Sequence, residues 1–227
     1  MRFGFAGLGL ALAMAGAPAV AAESGCGEAV RLTVEPAAKA PDVAATLRRR
    51  LQAAGATSPE VESDAPGRLR AVLPQEMSER LLTRPASIEF RLVAKPDEPG
   101  AVALPLAGGK GAESVAPEII LNETRLREFT VRTPPDAPTA LAFHFDPKAM
   151  KNLMAATTES VGRKLAILVD GEIVADPIIR APIASLTGEI PAGAPSSANE
   201  LVDLLRNGRL GGRVAIVSRE PAACKQP

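Results

Sequence analysis

The chain has 227 residues, enough for one large or two small domains around a proper hydrophobic core, and 46% of them are hydrophobic although aromatics supply only 3%. Trp and Tyr are absent, so packing has to rest on Leu, Val and Ile. With 26 basic and 26 acidic residues the formal net charge is zero, and no bulk charge selects nucleic acid or an anionic membrane as partner.

Residues 1–22 place Arg2 before an apolar stretch from Phe3 to Ala15 and end in small residues at Val20-Ala21-Ala22, which is the pattern of a secretory signal cleaved after Ala22. The apolar stretch is short and glycine-rich for a membrane span, and no other segment approaches spanning length. The expected mature chain is exported to the periplasm and has no membrane span. Glu23 stands where a lipobox leading to Cys26 would need an aliphatic residue. Cys26 and Cys224, near opposite ends of the chain, are an even pair in an oxidising compartment and are expected to form a disulfide; the alternative is two thiols on frayed tails. Their spacing and the single histidine exclude a zinc site, and no cofactor is expected.

Ala29 to Val34 alternates as a short strand, and Pro41-Asp42 starts a helix with Ala44, Leu47, Leu51 and Ala54 on one face, closed by Gly55. Arg48, Arg49 and Arg50 fall mostly elsewhere and read as a solvated face, since no aromatic platform accompanies them. Glu60–Ser63 and Arg68–Leu73 flank the turn Asp64-Ala65-Pro66-Gly67, and Gln75–Leu82 makes a short helix before Pro85. Ser87–Val93 alternates like a half-buried strand. Strand, helix, strand, strand, helix, strand is the ferredoxin-like plan.

The stretch 94–117, rich in Pro, Gly and Ala, reads as a linker. Lys110 among glycines invites a phosphate-loop reading, but Leu104 and Gly111 stand where such a loop needs Gly and Ser/Thr. Short extended pieces follow at 118–121 and 128–132, then a strand at Ala140–Phe145. Asp146-Pro147 is a helix start, an N-cap acceptor with proline at the first helical position, and Met150, Leu153, Met154, Thr157 and Val161 line a face that reads as core. His144 is expected to point away from Phe143 and Phe145 as a structural residue; Asp146 shares its face, but no nucleophile sits in an elbow beside them. Leu165–Val169, Asp170-Gly171 and Glu172–Ala175 spell a β-hairpin with a type I′ turn, and Pro177 redirects the chain into an extended piece at Ile178–Ile183. Asp170 and Asp176 are explained by the turn and the bend rather than as paired catalytic carboxylates. Ser197–Asn207 is an amphipathic helix capped by Gly208, and Arg213–Ser218 is a last strand, expected to run antiparallel beside Ala29–Val34 and so bring Cys224 close to Cys26.

Several of these blocks together resemble the first periplasmic domain of SecD, of the SecDF protein-export family. TLRRRLQAAGATSPEVE, GRLRAVLP and RPASIEFRLV are similar to its base. Phe145-Asp146-Pro147, LAILVDGEIVADPIIRAPI, Thr187-Gly188-Glu189-Ile190 and LVDLLRNGRL are similar to its head. The resemblance implies an α+β protein with a ferredoxin-like base (23–93 plus 212–220), a linker (94–117) and an inserted α+β head (118–211). It further implies a non-enzymatic periplasmic module whose partners are unfolded exported polypeptide or components of the Sec translocon. Exposed strand edges in the head are the expected means of holding an extended chain. The alternative is a structural or regulatory envelope protein that binds a folded partner.

Overall fold

The computed structural model describes residues 27–222 except Glu76 and Lys110. The signal segment 1–22 and both cysteines lie outside the described residues, as does the lysine of the glycine-rich turn. In chain order the elements are β1 (Gly27–Glu35), α1 (Ala40–Ala53), β2 (Val61–Ala65), β3 (Arg68–Pro74), α2 (Arg80–Thr83), β4 (Ile88–Leu92), β5 (Val102–Pro105), β6 (Ala112–Val115) and β7 (Leu121–Asn122). They continue with β8 (Leu126–Arg132), β9 (Ala140–Phe145), α3 (Pro147–Thr158), β10 (Leu165–Val169), β11 (Glu172–Ala175), β12 (Thr187–Pro191), α4 (Pro195–Asn207) and β13 (Arg213–Ala222).

The first lobe is an antiparallel sheet in the order β13-β1-β3-β2. Alternation in β1 turns Val30, Leu32 and Val34 inward, where they meet Val43, Leu47 and Leu51 from the apolar stripe of α1 and Leu82 from α2. The last strand does return beside the first, with Gly27 opposite Ala222 at one end of the ladder and Glu35 opposite Arg213 at the other.

The strand at 88–92, expected to complete this first sheet, instead belongs to the second lobe. It pairs with β10 from Leu92↔Leu165 to Ile88↔Val169, in a sheet of order β11-β10-β4-β7. Its alternating pattern suits either sheet. What commits it is β10, whose five residues are all buried and whose free edge β4 covers. A third sheet, β12-β9-β8, closes the same core against α3 and α4. The stretch 94–117 also differs from the expected linker: β5 and β6 form a hairpin whose Val115 and Leu104 pack on Ala166, Leu168 and Ile173. Its end is pinned by Lys164, which donates to Glu113 at 3.0 Å while also bonding Asp176.

The hairpin turn is as the sequence predicts, with φ of +53° at Asp170 and +87° at Gly171. After it the piece at 178–183 joins no sheet as a strand and runs beside the end of α3, held by Ile179 N–H to the Arg163 carbonyl (2.8 Å) and Ile183 N–H to Thr157 Oγ1 (2.9 Å). Phe90, Phe143 and Phe145 meet edge to face, with centroids 5.3–6.1 Å apart, at the centre of the second core. Gly188 on β12 lies under that cluster: a Cβ there would sit 2.6 Å from a ring carbon of Phe143. Asp146 caps α3, accepting the Ala149 N–H at 2.7 Å. That amide, and secondarily Arg125, holds the carboxyl below its ordinary value of 3.8.

Two outcomes follow from this packing. Gly188→Ala should destabilise the fold by about 1–3 kcal/mol, because the ring it meets is locked by two other rings, and urea unfolding will measure it. Because the folded-state pKa of Asp146 is depressed, its contribution is complete above its unfolded value and is lost as pH falls through the lower folded one. Asp146→Ala should therefore flatten the acid limb of stability against pH, read from unfolding midpoints measured below pH 4 (about the ordinary carboxylate range).

Candidate functional site

His144, Asp146, Asp170 and Asp176, the described residues that could suggest chemistry, each engage a different partner. His144 is exposed on β9 between buried Phe143 and Phe145, its Nδ1 3.8 Å from Glu128 Oε2, while Asp146 spends its carboxylate on the α3 amides. Asp170 and Asp176 are separated by function: Asp176 pairs with Lys164, which holds its carboxyl low, whereas Asp170 takes Arg84 Nε at 2.7 Å and Ser87 N–H at 2.9 Å. Among the described residues no group of His, Cys, Asp or Glu is arranged to hold a metal.

The reading of Arg48–Arg50 as one solvated face needs correction. Arg48 and Arg49 are exposed, but Arg50 is only 1% exposed, between α1, the outgoing chain at 81–85 and the return at Gly208. Nε and Nη2 donate to the Gly208 carbonyl (3.1 and 2.8 Å), Nη1 to Leu81 (3.2 Å) and Arg84 (2.7 Å), and Nη2 also to Pro85 (3.1 Å). Burial pushes the guanidinium down to about 10, against the pull of Asp170, so it stays charged at neutral pH. The signal for this was in the periodicity: position 50 lies three residues after Leu47 and seven after Val43, on the buried stripe.

What the second lobe does offer a partner is apolar surface. The face of α3 expected to be wholly core is buried only at Met150, Leu153 and Thr157; Met154 is 48% and Val161 53% exposed. The irregular run 177–186 is attached near the C-terminal end of that helix, at Thr157 and Gly162. That run carries Ile178 and Leu186, at 57% and 58% exposed. Sequence periodicity assigns Met154 and Val161 to the interior, and the structure leaves both half exposed.

The sheet edges are less open than the sequence suggests. On β12, Ser185 Oγ accepts the Thr187 N–H and donates to the Thr187 carbonyl (3.2 and 2.8 Å), and Pro191 has no N–H to give. β8 is bulged between Arg127 and Thr130, with φ of +55° at Glu128, and Arg206 Nη2 occupies the Phe129 carbonyl. On β11, Ala107 N–H takes the Ile173 carbonyl. Bulges, proline and side-chain caps are the usual means of blunting an edge against strand addition.

No helix among the described residues is long and apolar enough to cross a membrane. Comparison with protein families matches residues 104–211 to the P1 head subdomain of SecDF. The protein translocase subunit SecD of Acetobacter pasteurianus is 28% identical over 187 residues, covering 76% of this chain and 36% of that protein. SecD of Dictyoglomus turgidum is 24% identical over 195 residues, covering 84% and 41%. The chain thus spans about two-fifths or less of the length of these relatives. Among solved structures, a membrane component SecDF that enhances protein export shares the fold at a TM-score of 0.65 and 18% identity, over 84% of this chain and 98% of that one. SecDF in its super-membrane-facing form gives 0.66 and 19%, over 85% and 30%. Residues 104–211 match the P1 head subdomain of SecDF, and the relatives matched over the longer span of the chain are SecD proteins.

Proposed function

We propose that this chain is a non-enzymatic periplasmic module, exported by its segment 1–22, that holds unfolded or emerging polypeptide as an accessory to protein translocation. The observation that carries the reading is the exposure of four apolar side chains of the second lobe, Met154, Val161, Ile178 and Leu186, which we take as one seam, in the stretch that matches the SecDF P1 head subdomain. The lobe beneath it serves as a ferredoxin-like base: the strand order β13-β1-β3-β2, with the head inserted between α2 and β13, supports that assignment.

A seam of half-exposed aliphatic side chains suits a holder better than strand addition on the blunted edges. Covering each would contribute on the order of 1 kcal/mol, against an association cost of about 4 kcal/mol or more. The result is weak, rapidly exchanging attachment, which lets a passing chain move on. Met154, unbranched and polarisable, tolerates many apolar partners.

The disulfide Cys26–Cys224 is part of the same reading. Its support is the ladder that sets Gly27 opposite Ala222, one residue after the first cysteine and two before the second. An unstrained bridge closing so long a loop would contribute about 5 kcal/mol.

Fluorescence anisotropy with a labelled, permanently unfolded polypeptide tests the holding role. Met154→Lys with Leu186→Lys should weaken binding by about tenfold while leaving the unfolding midpoint nearly unchanged, since both positions are already half exposed. Equal binding by the variant and the wild type would reject the seam. Capture of one folded protein with no unfolded chains, in cross-linking on cells, would favour the envelope-partner reading. For the bridge, the intact oxidised protein should gain two hydrogens on reduction and unfold at lower urea; no mass change would dismiss it.

A further inference from the structure

Met154, Ile178 and Leu186 sit on two segments whose charges are all of one sign. From Pro147 to Thr158, α3 carries Lys148 and Lys151 and no acidic residue, and from Pro177 to Gly188 Arg180 is the sole charge. All three side chains are exposed, and among the described residues none of them is paired with a carboxylate. The basic residues that flank these segments are committed. Arg125 meets Asp146 at the start of α3, and between the end of α3 and the run 177–186 Arg163 meets Glu98 while Lys164 meets Glu113 and Asp176. Those pairs consume the nearby carboxylates of Asp146 and Asp176, and Glu159, at the C-terminal cap of α3, offsets only one of the three free charges.

The cations lie beside the apolar side chains. Helical spacing sets Lys151 one turn before Met154, and Lys148 one turn before that, on the exposed side of α3. At the other end of the helix, Gly162 N–H bonds the Ile179 carbonyl and Ile179 N–H bonds the Arg163 carbonyl, both at 2.8 Å. The backbone of Ile179, between Ile178 and Arg180, is thereby fixed beside the residues that follow Val161. A chain laid over these aliphatic groups brings its own side chains to the free cations. Carboxylates there gain attraction where water is partly excluded, whereas lysine or arginine adds a like charge. The whole chain is neutral, so the discrimination is local and acts within a screening length of the contact.

We infer that this surface selects unfolded segments whose apolar residues are flanked by Asp or Glu, and disfavours segments flanked by Lys or Arg. The inference rests on the holding role proposed above and names the class of chain that role serves. An anionic lipid surface fits the same cations less well: α3 exposes Met154 as its single large apolar side chain, and the described phenylalanines, Phe90, Phe129, Phe143 and Phe145, are all buried.

Fluorescence anisotropy on the full chain, with two labelled synthetic peptides, tests the selection. Both peptides carry the same apolar residues on glycine and serine spacers that keep them unfolded, and they differ only in flanking glutamate or lysine. The glutamate peptide should bind about tenfold more tightly at low ionic strength, and added salt should close the gap. Lys148→Glu with Lys151→Glu and Arg180→Glu, all at exposed positions, should keep the unfolding midpoint and reverse the order of the two peptides. Equal affinities in the wild type overturn the selection while leaving the holding role in place. Absence of binding by both peptides removes the holding role and the selection with it. A glutamate preference that persists in the folded triple variant overturns the assignment to these cations. Attachment of the wild type to phosphatidylglycerol vesicles, with no discrimination between the peptides, overturns it in favour of a lipid surface.

Discussion

A charged guanidinium taken out of water keeps its place only if its N–H groups find acceptors, and at Arg50 all five do. Every acceptor is a backbone carbonyl: Arg84, Pro85 and Gly208 lie in the two segments that cross between the lobes, at 84–87 and 208–212, and Leu81 lies in α2 just before the first crossing. An ion pair could have neutralised the charge with a single partner. Carbonyls spread it over four points of the chain instead, and so convert the cost of burying one side chain into a constraint on geometry. Removing any one carbonyl from reach would leave a buried donor unpaired, so the arrangement favours one orientation of the crossings over nearby alternatives.

The second lobe is then built outward from those crossings. Ser87, the last residue of the outgoing segment before β4, exchanges hydrogen bonds with Asp170, its carbonyl accepting the Asp170 amide and its amide donating to the carboxylate. That contact sets the register at which β4 meets β10. Glu123, itself buried, accepts both the Ile88 amide and Arg209, joining the start of β4 to the returning chain. The hairpin turn is thus more than a reversal: the aspartate that the positive φ favours also anchors the joint. The exposed apolar side chains of this lobe lie on or just after α3 (Met154, Val161) and on the run 177–186 (Ile178, Leu186), none of which supplies an acceptor to Arg50.

Much of this was legible in the residues. The Asp170-Gly171 turn between two apolar runs specifies its hairpin locally, because few residue pairs accept two positive φ values. The Asp146-Pro147 start and the Gly208 stop define their helices for similarly local reasons. Even the return of the last strand beside the first followed from the plan of the first lobe. The strand at 88–92 was read into the wrong sheet because SIEFRLV alternates equally well for either, and the hairpin at 102–115 was missed because its strands gain their support from β11, distant in sequence.

Local conformation was therefore written in the chain itself: turns, caps and periodicity act over a few residues, where the side chain and its own backbone decide the outcome. The tertiary structure alone decided which sheet received β4, which arginine of three was buried, and which apolar residues of α3 stayed in water. Each of those depends on a partner dozens of residues away, and a pattern of hydrophobic spacing records that a face will be covered without recording by what, or how far along.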